Sequence, residues 1–349
     1  MAPAARARFE IVPNPSATSL AARIDEVATA TGFSGVVRVD RGDTTPVDAA
    51  FGLADRRHGI PMTTATRLGI ASGAKGVTAL TVMVLVAQGA LSLDTRVRDV
   101  LGTDLPLVDD RVTVEHLLAH RSGIGDYLDE ETLPEVTDHV LTVPVHTLAT
   151  TEDYVPVLDG FAQVSAPGET FAYNNSGYVV LALVAGRVAG RPFEELALDR
   201  VCRPAGMPNT AFLRSDELPA GVATGYLWSD RPRTNVMHLP VVGSGDGGLY
   251  STTADLTAFW HALVEGRIVP DAVVGEMLRA RSAPPSGSRY GLGFWLGPED
   301  GVVALVGMDA GVSFRSGHDA RTDTTWTVAS NTSEGASPVA RALADHLAA

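Results

Sequence analysis

Apolar side chains recur at helical spacing from residue 16 to residue 31, and Gly32 follows, so this stretch predicts an amphipathic helix. Residues 33–40 and 46–55 alternate in the manner of two strands around an Arg-Gly-Asp turn, an antiparallel hairpin. The apolar run at 77–91 is too long for a strand and predicts a buried helix that Gly89 closes. Helix and loop signals dominate from there to about residue 245, most clearly at 113–120 and 176–190. Strand patterns return at 290–297, 301–307, 311–317 and 324–331, and a helix at 337–349 ends the chain. Strands therefore stand at both ends of the chain with a helix-rich middle. The expected fold class is α+β: one antiparallel sheet flanked by helices and built from both termini, with a mainly helical domain inserted. We place the sheet domain at 1–75 and 246–349 and the insert at 76–245.

Composition narrows the classes of function. At roughly 100–200 residues per domain, 349 residues make about two domains, and 45% hydrophobic residues can bury a sizeable core. The formal net charge of −14 argues against nucleic-acid or anionic-membrane partners, which are bound through clustered Lys and Arg. One cysteine, Cys202, excludes an internal disulfide and reads as a small core residue. The first fifteen residues carry arginines without an apolar region after them, so no secretory signal is read. No apolar run approaches the ~18 residues of a membrane span. The expected location is cytoplasmic, unless a leader has been removed. The nine histidines form no His-Glu-x-x-His or Cys/His cluster, so no metal or cofactor is expected.

One compositional detail changes the picture. Of the 27 basic residues a single one, Lys75, is lysine, leaving 26 arginines. It lies three residues after Ser72, where a helix begins, so the two side chains share a face. A serine hydroxyl is a weak nucleophile until a base takes its proton. A buried lysine at the positive end of a helix can be that base. An arginine cannot, because its guanidinium does not deprotonate in proteins. Ser-x-x-Lys is also a short pattern that arises by chance. A second candidate is Tyr173 with Asn175 on a turn before a helix. A tyrosine near a protonated lysine is drawn toward phenolate and can relay protons, while Asn175 can donate to a substrate carbonyl or hold Lys75. The same stretch also reads as an ordinary turn whose Asn and Ser cap the next helix.

Together these segments resemble the serine β-lactamase and penicillin-binding-protein-like hydrolases, the branch of class C β-lactamases, DD-peptidases and related esterases. The resemblance runs from about Phe33 to Asn331 and is carried by 50–80, 91–101, 112–124, 167–184 and 245–260, in the family's order and spacing. It implies Ser72 as the acylated nucleophile, Lys75 as base, Tyr173 as partner base or proton relay and Asn175 in support. The family's third motif, Lys-Thr-Gly or His-x-Gly on a strand beside the serine, falls at 305–314. Met308 and Asp309 stand where the basic residue is expected, which removes an attraction for substrate carboxylates and adds repulsion. Arg315 and His318 are the candidates to replace it, and Gly311 the candidate strand donor to an oxyanion hole, beside the Ser72 N–H.

The implied function is a serine hydrolase acting through an acyl-enzyme on small esters, amides or short peptides, without efficient β-lactamase or DD-carboxypeptidase action. The alternatives are an acyltransferase using the same acyl-enzyme, a D-aminopeptidase or DD-peptidase, and a non-catalytic ligand-binding homologue. Gly-x-Gly-x-x-Gly at 243–248, after the strand-like 237–242, raises a dinucleotide site. No βαβ unit surrounds it, and 251–256 opens the next helix with capping residues, so it reads as a loop entering a helix beside the sheet. No Gly-x-Ser-x-Gly occurs, which counts against an α/β-hydrolase. His120 is expected to make a structural hydrogen bond.

Overall fold

The structure is a computed structural model and describes residues 19–347 apart from 131, 132, 134, 285, 286 and 299. The start of the first predicted helix, the N-terminal arginine-bearing stretch and the last two alanines lie outside the described residues.

Helix α1 (Leu20–Thr31) opens on Ser19, whose side chain accepts from the Ala22 N–H, and closes on Gly32 in the left-handed conformation. Strands β1 (Gly35–Arg41) and β2 (Thr44–Phe51) form the predicted hairpin, and β3 (Leu53–Asp55) and β4 (Ile60–Pro61) a small second one. Strands β5 (Leu68–Gly69), β6 (Ala211–Phe212) and β7 (Leu249–Ser251) make a three-stranded ribbon in the order β5-β7-β6. The main sheet is completed by β8 (Arg289–Tyr290), β9 (Trp295–Leu296), β10 (Val302–Asp309), β11 (Val312–Asp319) and β12 (Thr324–Ser330), in the order β2-β1-β12-β11-β10-β9-β8. The pairing of β1 with β12, Val37 opposite Val328, closes the N-terminal and C-terminal strands into one antiparallel sheet.

The sheet is covered on both faces. On one face α1 and the C-terminal helix, α6 (Ala336–Leu347), bury Ile24, Val339 and Leu343 against Val37, Val39 and Val328. The other face carries the large core, with α2 (Ala74–Ala87), α3 (Val114–Leu118), α4 (Asn175–Ala189) and α5 (Thr253–Val264). Trp260 of α5 is fully buried there and donates its indole N–H to Ser316 Oγ at 2.8 Å. Helix α2 is buried along almost its whole circumference from Ala74 to Leu85, as an all-round apolar helix must be in a core. Cys202 is buried in this core.

The expected strand at 290–297 is instead the β8–β9 hairpin. Gly293 has φ 91°, and a Cβ there would lie 2.3 Å from the Ala79 Cβ of α2, so close packing on that helix turns the chain back. The residues 237–242 form no strand. Residues 221–235, on the insert side of the expected boundary, fold back on the sheet side. Arg67 N–H donates to Gly221 O, Tyr226 N–H to Asn331 O, and Asn235 Nδ2 to Ala310 O.

Leu343 is 1% exposed between α6 and the sheet. Leu343→Ala is expected to lower the unfolding free energy by about 2–4 kcal/mol, read as a fall in the urea midpoint at unchanged slope.

Candidate active site

Ser72 lies in a 3₁₀ turn, Ala71–Gly73, that runs directly into α2. Side chains three apart eclipse in such a turn, and Lys75 Nζ donates to Ser72 Oγ at 2.8 Å. Ala71 has φ 45°, a left-handed conformation costing a non-glycine residue about 1–3 kcal/mol, and it is held there by burial. The lysine is 2% exposed. Its amine also donates to Asn175 Oδ1 at 2.7 Å and to the main-chain O of Asp246 at 2.9 Å, so all three donors are used. It faces the Tyr173 ring, 4.9 Å from the centroid, and the Tyr178 ring at 5.6 Å. The turn thus brings Ser72, Lys75, Tyr173 and Asn175 together from α2, the 171–174 turn and the first residue of α4.

Each partner is fixed in turn. Asn174 caps α4 by accepting from the Gly177 N–H, and Asp126 accepts from the Asn175 and Ser176 N–H groups. Burial pushes the Asp126 carboxyl up to about 6 against those hydrogen bonds. Asn175 Nδ2 donates to Leu128 O and to Glu130, leaving its Oδ1 toward the lysine. The glycine-rich loop 243–248 is part of the site. Its Asp246 carbonyl receives Lys75, its Gly245 carbonyl receives Thr78 Oγ1 of α2, and the buried Asp246 carboxylate accepts from Tyr127 OH at 2.6 Å.

Tyr173 departs from the sequence expectation of a phenolate. Burial, reinforced by the negative field of Glu130, holds the phenol well above its ordinary pKa, while Ser72 pulls weakly the other way. It is a neutral O–H, suited to relaying a proton. His120 makes the expected structural bond, its Nδ1 accepting from the Asn174 N–H at 3.1 Å.

Strand β10 passes directly behind the serine. A Cβ on Gly307 would sit 2.2 Å from Ile70 O and 3.1 Å from Ser72 N, so only glycine lets the strand approach. The β10–β11 hairpin turns through two residues, with Asp309 opposite Val312 and Met308 opposite Ser313. In such a hairpin the flanking pair is hydrogen-bonded and the next is not, so the Met308 N–H points away from β11. Gly311 takes another place: it lies in the hairpin turn at φ 73°, and its N–H donates to Ser333 Oγ at 2.9 Å. Its N–H is therefore engaged, which removes it as the strand donor. Arg315 and His318 do not replace the missing base either. Arg315 stands on the α6 face of the sheet, bonded to the carbonyls of Gly307 and Phe314. His318 is buried against Thr325 and His261.

Ser72, Glu130, Asn175, Asp246, Met308 and Asp309 line one cleft that is partly open to solvent. Burial, with Glu130 and Asp246 nearby, raises the Asp309 carboxyl to about 7, partly opposed by the Ala310 N–H and Lys75. Among the described residues the cleft wall carries acidic side chains and no arginine. No group of three or more potential metal ligands occurs among the described residues.

The beta-lactamase family model matches residues 20–349. The chain belongs to the beta-lactamase family. Its fold is the β-lactamase/transpeptidase-like one. A penicillin binding protein from Bacillus halodurans, 33% identical, superposes with a TM-score of 0.87 over 93% of this chain and 99% of its own. Similar curated members of the family are a putative penicillin-binding protein PbpX of Bacillus subtilis, 27% identical over 76% of this chain and 63% of its own, and esterase EstB of Burkholderia gladioli, 32% identical over 57% and 53%. The chain spans less than two thirds of the length of these curated relatives. No described helix is long and apolar enough to cross a membrane.

The sequence pointed to the four central residues but not to Gly307, Glu130 or the Asp246 carbonyl. The glycine pattern at 243–248 was a signal for that loop, and it pointed to a different chemistry.

A carboxyl raised in the folded state stabilises the fold below its unfolded value near 3.8 and loses that contribution as pH rises through about 7. Asp309→Asn is therefore expected to gain stability over the parent between pH 5 and pH 8, by about 1–3 kcal/mol, in urea titrations at the two values.

Proposed function

We propose that this protein is a serine hydrolase that cleaves small esters or amides through an acyl-enzyme on Ser72. The observation that carries the reading is the lysine amine 2.8 Å from the serine hydroxyl, buried and held by Asn175 and Asp246. In the reactive state Lys75 has released one proton to solvent, and its amine takes the Ser72 proton while Oγ forms a bond to the substrate carbonyl carbon. The carbonyl π electrons move to its oxygen. That oxyanion is received by the Ser72 N–H, open at the head of the helix, and by the Met308 N–H on the free side of β10. When the tetrahedral intermediate collapses, the bond to the leaving group breaks, Tyr173 donates its proton to the departing oxygen or nitrogen, and Lys75 returns one to Tyr173. Water then attacks the Ser72 ester, loses a proton to the same relay, and releases the acid and the serine hydroxyl.

Substrate choice follows from the cleft. A carboxylate on the substrate would face Glu130 beside the acidic side chains of Asp246 and Asp309, and among the described residues no lysine or arginine lines the cleft. The reading is thus of neutral or cationic esters and amides, with penicillins and peptides ending in a free carboxylate as poor substrates.

Three variants test the roles against p-nitrophenyl butyrate. Ser72→Ala should abolish turnover and labelling by a fluorophosphonate probe; hydrolysis at the parent rate would sink the proposal. Lys75→Arg keeps the charge and loses the removable proton, so kcat should fall by about 10²–10⁴. Met308→Pro removes one oxyanion donor at a strand edge and should cost about 10²–10³ in kcat with little change in KM.

A further inference from the structure

Buried polar side-chain atoms normally find a partner, so those that do not ask for an explanation. Among the described residues seven such atoms have no hydrogen-bond partner, and three of them, His139 Nε2, Ser215 Oγ and His238 Nε2, belong to residues that line the Ser72 cleft. The three come from separate segments of the inserted region. Those segments are tied to one another by main-chain bonds, Ser215 N–H donating to Val241 O and Val241 N–H to Val145 O, and a local bond from His238 N–H to Asn235 O turns the third. Between the polar atoms the wall is apolar, made by Leu141, Leu213, Leu239 and Val241. Burial lowers both imidazoles below their ordinary pKa, with Arg233 adding to the effect at His238. They are neutral near pH 7, and each presents one N–H donor or one lone pair.

We propose that His139, Ser215 and His238 form a specificity subsite that takes a neutral carbonyl oxygen carried at the far end of an otherwise apolar substrate arm. With Nε2 protonated, the two imidazoles and the serine hydroxyl are donors on one cleft wall and suit the two lone pairs of a ketone or amide oxygen. A carboxylate would suit the donors but not the setting, because Glu130, Asp246 and Asp309 share the cleft. An unsubstituted alkyl chain fills the apolar wall and leaves the three polar atoms unmet, which a site built around them penalises. The subsite rests on the acyl-enzyme reading for its place beside Ser72, but its occupancy does not depend on turnover.

The test compares isosteres. In the acyl half, p-nitrophenyl 4-oxopentanoate is set against p-nitrophenyl pentanoate; in the alcohol half, 3-oxobutyl acetate against butyl acetate. In one of the two halves the keto substrate is expected to lead by about tenfold or more in kcat/KM. In a His139→Leu, His238→Leu double variant that ratio should fall to about one; His238→Asn alone serves if the double variant does not fold. Equal rates in both halves, or a ratio that survives the substitutions, would overturn the subsite while leaving the role of Ser72 standing. If the parent protein hydrolyses none of the four, the acyl-enzyme reading fails instead. Calorimetric binding of 4-oxopentanamide against pentanamide to the Ser72→Ala protein then still decides the subsite: tighter binding of the keto amide supports it and equal binding overturns it.

Discussion

A lysine amine cannot be buried without its donors being met, and the architecture around the cleft follows from meeting them. Three acceptors close on Lys75 Nζ: a hydroxyl three residues back, an amide oxygen one hundred residues on, and a main-chain carbonyl from the glycine-rich loop. The desolvation of an unpaired ammonium would cost several kcal/mol, so each acceptor has to be held in place by something else. Helix α4 holds Asn175 at its first residue, with Asp126 accepting from the N–H groups there. The Gly245 and Asp246 carbonyls both reach α2, so the loop is fastened to the same helix that bears the lysine. The apolar circumference of α2 then needs a layer on every side. This is why the helix-rich insert lies over it and the sheet lies beneath.

The sheet imposes the second condition. Strand β10 has to approach the Ser72 turn closely enough to share its main-chain donors, and a side chain at position 307 would meet Ile70 O. Glycine there and the left-handed Ala71 are two parts of one contact, the strand giving up a side chain and the turn accepting strain. Beyond that contact the strand departs from the family pattern. Met308 is 40% exposed at the mouth of the cleft, and the neighbouring Asp309 is a carboxyl that burial pushes toward neutrality. The basic residue expected of the third motif is therefore absent from the strand, and Arg315 and His318, the candidates nearest in sequence, turn to the opposite face or into the core.

What the sequence conveyed divides along physical lines. Periodicity disclosed α2, α4 and the strands β1, β2 and β10 to β12, because each is long enough for its pattern to repeat. The single lysine drew attention to the Ser72 turn, because it is the one basic position on the chain that is not arginine. The β8–β9 hairpin was not legible: the glycines that turn it answer to Ala79 on another element. The loop 243–248 was legible as an entry to the next helix beside the sheet, but not the close packing of Gly245 on Tyr178 and of Gly248 on Gly243 that its glycines serve. Gly311 was misplaced because a two-residue hairpin, and not a longer strand, follows Asp309. The wall of His139, Ser215 and His238 had no signal at all, because its members meet only in three dimensions.

The aromatic floor of the site shows how one charge is kept alone. His120 lies against Tyr173 at 4.4 Å and against Tyr178 and Tyr290 at 4.9 Å, ring centroid to centroid. Burial, helped by the charge of Lys75, keeps its imidazole neutral well below the ordinary histidine range. A protonated ring there would repel the lysine. Neutral, it buttresses the tyrosine face and receives the Asn174 N–H, the residue whose side chain caps α4. Its own φ of 54° is the strain at that corner, and the bond from the Ala172 N–H to its carbonyl keeps the corner closed. Tyr173 and Asn175 therefore reach Lys75 from a segment whose geometry is set by a neutral histidine.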